Sequence, residues 1–296
     1  MNRLLLFMLA ILFIAGCNDQ HAEKTMPSSS NLPDVKSLTD IDPTSSYCKN
    51  PVVIQGIVLP GQSGCSKPGD AYEVHSFTFA TWHRLGEPPV NRKLTILRRV
   101  LPDTKWWKDF PDYSIQRMSV LLSTDETRAV FKKLLPVDTP DDELQTISSN
   151  LQKPFIVSMK QFGNFVLDRG YDWFEAETKW NGQTIRLIVP ADQEKLDANA
   201  FKVAEQLWAN QAKWQKRIGE FAAKELLEQK NSSWLEEGES KLTAKQFITR
   251  MKLQSITVSP DGKFDFWYED GDLFFGHNIM ISGDVEKGPT DSGIHG

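Results

Sequence analysis

Turn residues punctuate the second half of this 296-residue chain so closely that only short strands fit between most of them. Gly163, Gly170, Asn181-Gly182, Pro260-Asp261-Gly262 and Asp270-Gly271 separate runs rich in Phe, Trp, Ile and Val. The sharpest signal is Asn181-Gly182. Both residues tolerate the positive φ of a two-residue hairpin turn, and strand-like runs flank them at 173–180 and 183–189. Strands are also expected at 155–159 and 164–168, with a three-stranded meander at 255–259, 263–269 and 272–282. In the last of these, period-two alternation places Leu273, Phe275, His277, Ile279 and Ile281 on one face. A long helix is expected over 192–229, where Leu207, Trp214, Ile218, Phe221 and Leu226 share an apolar face at helical spacing. Thr243-Ala244-Lys245-Gln246 reads as a capping box opening a short helix with Phe247, Ile248 and Met251.

The first half alternates in the same way. Strands are expected at 52–58, 73–82, 93–100 and 114–122, punctuated by Gly86-Glu87-Pro88-Pro89 and Leu101-Pro102-Asp103. Ser123-Thr124-Asp125-Glu126 has the form of another capping box. It predicts a helix carrying Ala129, Val130, Phe131, Leu134 and Leu135 and ending at Pro136. Thr139-Pro140-Asp141-Asp142 supplies a cap, a proline at the first helical position and acids against the positive helix end. That helix takes Leu144, Ile147 and Leu151 as its stripe. No internal repeat is visible. The pattern is α+β: two small units of antiparallel sheet with packed helices. Hydrophobic residues at 40% and charged residues at 25% suit a soluble globular body. The roughly 250 residues involved suit two modest domains, placed at 48–151 and 154–296. With a net charge of -5 and no basic block beyond a pair or so, nucleic acid is not the expected partner.

The N-terminus is a different material. Arg3 is followed by the apolar run 4–14 and then Ala15-Gly16-Cys17. That run is too short to span a bilayer, which takes about 20 residues, and it has the form of a signal peptide over 1–16. A small pair followed by Cys resembles the bacterial lipobox, which implies a diacylglyceryl group on Cys17 and cleavage just before it. Two or three fatty chains hold a protein far more firmly than one, at about 0.8 kcal/mol per buried CH₂. Asn18, in place of the Asp that retains many lipoproteins at an inner membrane, points to outer-membrane sorting. Residues 17–47 are rich in Ser, Pro, Asp and Lys and read as a flexible tether.

Three cysteines are present. With Cys17 lipidated, Cys48 and Cys65 remain, and an oxidising compartment favours a disulfide between them. It would close a loop of about 17 residues and contribute roughly 3 kcal/mol in the loop-entropy picture. A metal pair and two free thiols are the other readings. A zinc site wants four ligands, and His75 and His83 complete one poorly.

The most enzyme-like cluster is Asp270, Asp272 and His277, where carboxylates and an imidazole could share a proton or a metal. The competing reading makes Asp270-Gly271 a hairpin turn, has Asp272 bond turn amides and buries His277 as a hydrogen-bonded core imidazole. No nucleophile elbow, zinc-protease or Walker motif occurs, and no metal site or cofactor is expected. Trp106-Trp107, flanked by charges, reads as a contact patch or as a loop folded onto its own domain.

Asn164 to Arg169, Trp173-Phe174-Glu175, the Trp180-Asn181-Gly182 turn, Asn231-Ser232-Ser233-Trp234, residues 242–247, and 264–268 through Phe275-Gly276-His277 resemble an uncharacterised bacterial domain of the domain-of-unknown-function 2262 type. The resemblance covers mainly 155–296, and more weakly the stretch before it. It implies an α+β fold and carries no reaction, so no catalytic residue comes with it. The expected function is that of a lipid-anchored envelope protein that binds a protein partner at the membrane surface. The alternatives are a periplasmic hydrolase using Asp270, Asp272 and His277, or an immunity-type protein that blocks a toxin.

Overall fold

The computed structural model describes residues 42, 45–61, 63–65, 72–101 and 105–296. The segment expected to be a signal peptide, Cys17 and most of the segment expected to be a tether lie outside the described residues. None of the described helices is long and apolar enough to cross a membrane. The protein is α+β, and its contacts divide it into two compact units. One comprises the described part of Pro27–Val157 together with Val166–Phe174; the other comprises Ser158–Phe165 and Glu175–Gly296.

The first unit is built from β1 (Val52–Val58), β2 (Ser63–Cys65), β3 (Glu73–Arg84), β4 (Leu94–Val100), β5 (Ile115–Leu122), β6 (Arg128–Leu135) and α1 (Asp142–Leu151). The sheet order is β1-β5-β6-β4-β3-β2, and β1 also pairs with β3, so the sheet closes on itself. β4 and β6 run parallel, with Ile96 opposite Ala129, while the other pairs are antiparallel. With β2 set aside as an added strand on β3, this is the five-stranded Greek-key order of an OB-fold barrel. Phe77, Phe79, Leu94, Ile96, Met118 and Val120 fill its interior. Phe110, fully buried, follows a 3-10 turn at Trp106–Asp109 and plugs the barrel, stacked on Phe77 at 4.2 Å. Gly56 is required where β1 crosses this core, because a Cβ there would lie 2.4 Å from the Phe79 ring.

Two expectations fail in this unit. Residues 123–135 form no helix: 123–127 turn between β5 and β6. Asp125 accepts the Thr127 amide and the hydroxyls of Ser123 and Thr127, and Glu126 takes φ 57°. The polar residues that could cap a helix cap a hairpin instead. Ala129 and Val130 then reach the barrel core from an extended chain. The Cys48–Cys65 disulfide does not form either; Cys48 is a free, exposed thiol. The barrel accounts for this. Cys48 leads into β1, whose Ile54 faces Arg84 at one end of β3, whereas Cys65 faces Val74 near the other end. At about 3.3 Å per residue the wall between them measures about 30 Å, against about 7 Å at most for bridged Cα atoms.

The nine-stranded sheet adds β7 (Ile156–Met159), β8 (Gly163–Asp168), β9 (Trp173–Trp180), β10 (Gln183–Asp192), β11 (Lys195–Leu196), β12 (Lys252–Val258), β13 (Lys263–Glu269), β14 (Asn278–Asp284) and β15 (Gly288–His295). The order is β15-β14-β13-β12-β10-β9-β8-β7, with β11 on β10. The Asn181-Gly182 hairpin forms as expected, with φ 46° and 84°. The capping box at Thr243–Gln246 is present and opens α4 (Ala244–Arg250). β10 and β12 are parallel, so α2 (Ala198–Trp208), α3 (Gln211–Ser233) and α4 serve as the crossover between them.

Here too the chain departs from the expected elements. The single helix over 192–229 is two helices broken at Ala209-Asn210, and residues up to Asp192 continue β10. The break lets both helices lie on the sheet. The Trp208 indole donates to Lys179 O at 3.0 Å, and Trp180 donates to the Gln215 amide oxygen at 2.8 Å. β14 starts at Asn278 rather than 272, so Leu273, Phe275 and His277 lie in a loop and share no strand face with Ile279 and Ile281. The polar strand β15 carries no apolar alternation and was not expected.

Candidate functional site

Residues 270–277 fold around Asp270, which is 2% exposed. Its Oδ1 accepts the Asp272 amide at 3.2 Å. Its Oδ2 accepts the amides of Phe274 at 2.5 Å and Gly276 at 3.2 Å. A buried carboxylate is tolerable only when its lone pairs are met by donors, and here the loop's own backbone supplies them. The loop is tightly wound: Gly271, Asp272, Phe275 and Gly276 all have positive φ. Gly271 cannot carry a side chain, since a Cβ would sit 2.3 Å from Arg250 O at the end of α4.

The three sequence candidates therefore share one loop, and among the described residues no hydrogen bond joins their side chains to one another. Asp270 faces inward onto amides, and Asp272 is exposed. The Nδ1 of His277 lies 2.5 Å from Phe274 O. Its ring meets Trp234 edge to face at 5.4 Å, so it is hydrogen-bonded but only partly buried. Trp234 also contacts Phe274 at 5.5 Å and Phe275 at 5.3 Å. What the loop offers to solvent is the Phe275 ring, 54% exposed on a backbone with φ 56°. Sequence reasoning placed Phe275 on a strand face; only its place between Phe274 and Gly276 hinted at a turn.

Beside the loop, Lys230 on α3 is fully buried. Its ammonium donates to Trp234 O at 2.7 Å and to Glu239 at 2.6 Å, and Arg250 adds a second cation on Glu239 at 3.1 Å. These cations hold the Glu239 carboxyl below its usual range, the Lys230 hydrogen bond being the largest cause. The group closes the 234–239 turn and so positions Trp234.

The remaining candidates are spread through the first unit. His75 Nε2 is 2.6 Å from Glu73. His83 places Nε2 3.0 Å from Asp141, the cap of α1, and Nδ1 2.8 Å from Glu87 O. The two imidazoles thus serve separate local contacts. Among the described residues no group of three His, Cys, Asp or Glu is placed to hold a metal ion. Trp106 and Trp107 form the 3-10 turn ahead of Phe110, and their side chains lie outside those described. Desolvation, and then the charge of Asp168, raise the exposed Asp112 carboxyl, which fits crowded surface acids better than a catalytic pocket.

The second unit also has a cleft of about 330 Å³, formed where α2 ends and α3 begins. Gln206, Asn210, Lys213, Trp214 and Arg217 line it from the helices, and Val285 and Glu286 line it from the β14–β15 turn. Of these residues the sequence singled out Trp214 alone, as part of the apolar helix face. The only available signal was two cations, Lys213 and Arg217, one turn apart on a face otherwise read as core.

No curated protein matches the chain. A solved structure titled "Molecular basis for abrogation of activation of pro-inflammatory cytokines" is similar at 14% identity, covering 53% of this chain and 84% of that one. Its TM-score of 0.22 is too low to argue a shared fold. Residues 159–294, which contain the braced loop, the cleft, strands β12 to β14 and all but the last residue of β15, match the family described as an uncharacterized protein conserved in bacteria (DUF2262).

Proposed function

We propose that this is a lipid-anchored bacterial envelope protein that acts by binding a protein partner, with the 270–277 loop as its contact element. Acylated Cys17 anchors it, 18–47 tethers it, and the outer membrane is its place of residence. The observation that carries the reading is the use of Asp270. Both of its carboxylate oxygens hold loop amides, and the loop so held presents Phe275. Backbone strain of this kind costs about 1–3 kcal/mol per residue and persists where the surroundings enforce it, often at binding sites. An exposed aromatic on a stiff loop supplies contact area at little entropic cost.

The test is a pull-down from detergent-solubilised membranes with wild type and Phe275→Asp, alongside membrane fractionation of Cys17→Ser. The expected result is a stoichiometric partner lost on Phe275→Asp, and a Cys17→Ser protein that leaves the membrane fraction. Ester, phosphate or peptide hydrolysis by wild type that disappears in His277→Ala, with melting unchanged, would install the hydrolase reading instead.

A further inference from the structure

The cleft between the α2–α3 junction and the β14–β15 turn shares no residue with the 270–277 loop. Among its lining residues is Arg217, and two contacts hold it in place. Nη2 donates to Lys287 O at 2.7 Å, and the guanidinium lies 5.2 Å from the Trp214 ring centre. It also lies over Gly288, whose φ of 95° favours glycine. Arg carries five donors in a planar fork, and the Lys287 carbonyl is the one acceptor it meets among the described residues. Arg217 forms no ion pair among the described residues, and neither does Lys213 one turn earlier. Two like charges at i and i+4 disfavour a helix by about 0.2–0.5 kcal/mol, and no carboxylate within salt-bridge reach relieves them. Across the cleft, Glu286 has its backbone amide bonded to Asp284 at 2.8 Å, and its exposed carboxylate is likewise without an ion pair. The amides of Gln206 and Asn210 complete the polar lining, and Trp214 forms an apolar floor.

We infer that this cleft binds a small zwitterion, an amino acid or short peptide with a free carboxylate. The fork of Arg217 takes the carboxylate with Lys213 as a second charge, and Glu286 takes the ammonium. An immobilised arginine matches a carboxylate through two parallel hydrogen bonds, whereas a lysine supplies only a point charge. A volume of about 330 Å³ is at the small end of ligand sites, which suits a mono- to tripeptide. A single acid facing two cations favours a ligand with one positive group over a bare anion.

The experiment is calorimetric titration of the mature chain with alanyl-alanine, its C-terminal amide, its N-acetyl form and inorganic phosphate. The free dipeptide is expected to bind, with affinity falling at least tenfold for the amide and severalfold for the N-acetyl form. Lys213→Gln changes an exposed side chain with no partner, so it leaves melting unchanged while weakening binding severalfold. Arg217→Lys keeps the charge, loses the fork and weakens binding at least tenfold. Phe275→Asp leaves the titration unaltered, so failure of the contact-loop reading does not carry over. Absence of dipeptide binding at millimolar concentration overturns the inference. So does equal binding of the amide, or phosphate binding as tight as that of the dipeptide.

Discussion

Replacing Asp270 by alanine tests whether this residue is a brace or a reagent. Its carboxylate is 2% exposed and accepts three backbone amides, those of Asp272, Phe274 and Gly276. Alanine removes every acceptor at once. The Phe274 amide bond is buried, and the other two are partly buried. Each buried donor left without a partner costs about 1–3 kcal/mol. Partial access of water to two of them brings the sum to about 3–5 kcal/mol, the range typical when a buried charged network is broken. For a protein of this size 1 kcal/mol moves the melting temperature by about 2–4 °C, so Asp270→Ala should lower it by about 10 °C. Asp270→Asn keeps one carbonyl oxygen but turns an NH₂ group toward amide donors, and should fall about midway. Scanning calorimetry with urea unfolding as a check measures both. Trp234 lies against Phe274 and Phe275, so its fluorescence should report the loop loosening before the global transition. A catalytic carboxylate is held at the expense of stability, and its removal is neutral or stabilising. A melting temperature within 1 °C of wild type, or above it, would therefore refute the brace.

Acid should release the Trp234 turn. Glu239 is held below its ordinary 4.5 by Lys230 first, then by the Glu236 amide and by Arg250. Its contribution is therefore complete above about pH 4.5 and is lost as pH falls through the lower folded-state value. A Trp fluorescence transition below pH 4.5, abolished in Glu239→Gln, is the expected observation. At the other extreme, burial and then Asp42 push the Tyr47 phenol up to about 12. The associated stability is whole below pH 10 and is lost between 10 and about 12, and absorbance at the phenolate band should show Tyr47 ionising late, together with Tyr268 and Tyr113, which burial also raises. Finally, Cys48 should react with a maleimide in the native protein without prior reductant, since it is exposed and unbridged. A mass two hydrogens short of the reduced chain, with no labelling, would reinstate a bridge.

Strand-forming stretches were legible because their causes are local. Alternation at 73–82, the Asn181-Gly182 turn and the Thr243–Gln246 box depend on residues within a few positions of one another, and each forms where the pattern puts it. The misread segments are those in which one local chemistry serves two structures. Ser123 to Glu126 offers oxygens to free amides, and these occur both at a helix start and in a hairpin turn. The choice fell to the barrel, which needed Ala129 and Val130 extended beside β4 and β5. The apolar spacing through 207–226 is the same in a bent helix pair as in a straight helix. The break at Ala209-Asn210 was decided by where the sheet offers acceptors to Trp208.

The sequence by itself determined the fold class, four of the six strands of the first unit, the Asn181-Gly182 hairpin of the second, and the expectation of an anchored, exported chain, because turn chemistry and hydrophobic period act over short distances. Only the tertiary structure decided that the first sheet closes into a barrel, which puts Cys48 and Cys65 at opposite ends of β3. It also decided that Asp270 faces three amides and that Arg217 stands over Gly288 with no carboxylate partner among the described residues. Those facts depend on segments tens of residues apart meeting at atomic range, and no periodicity along one strand or helix encodes which distant backbone will be there.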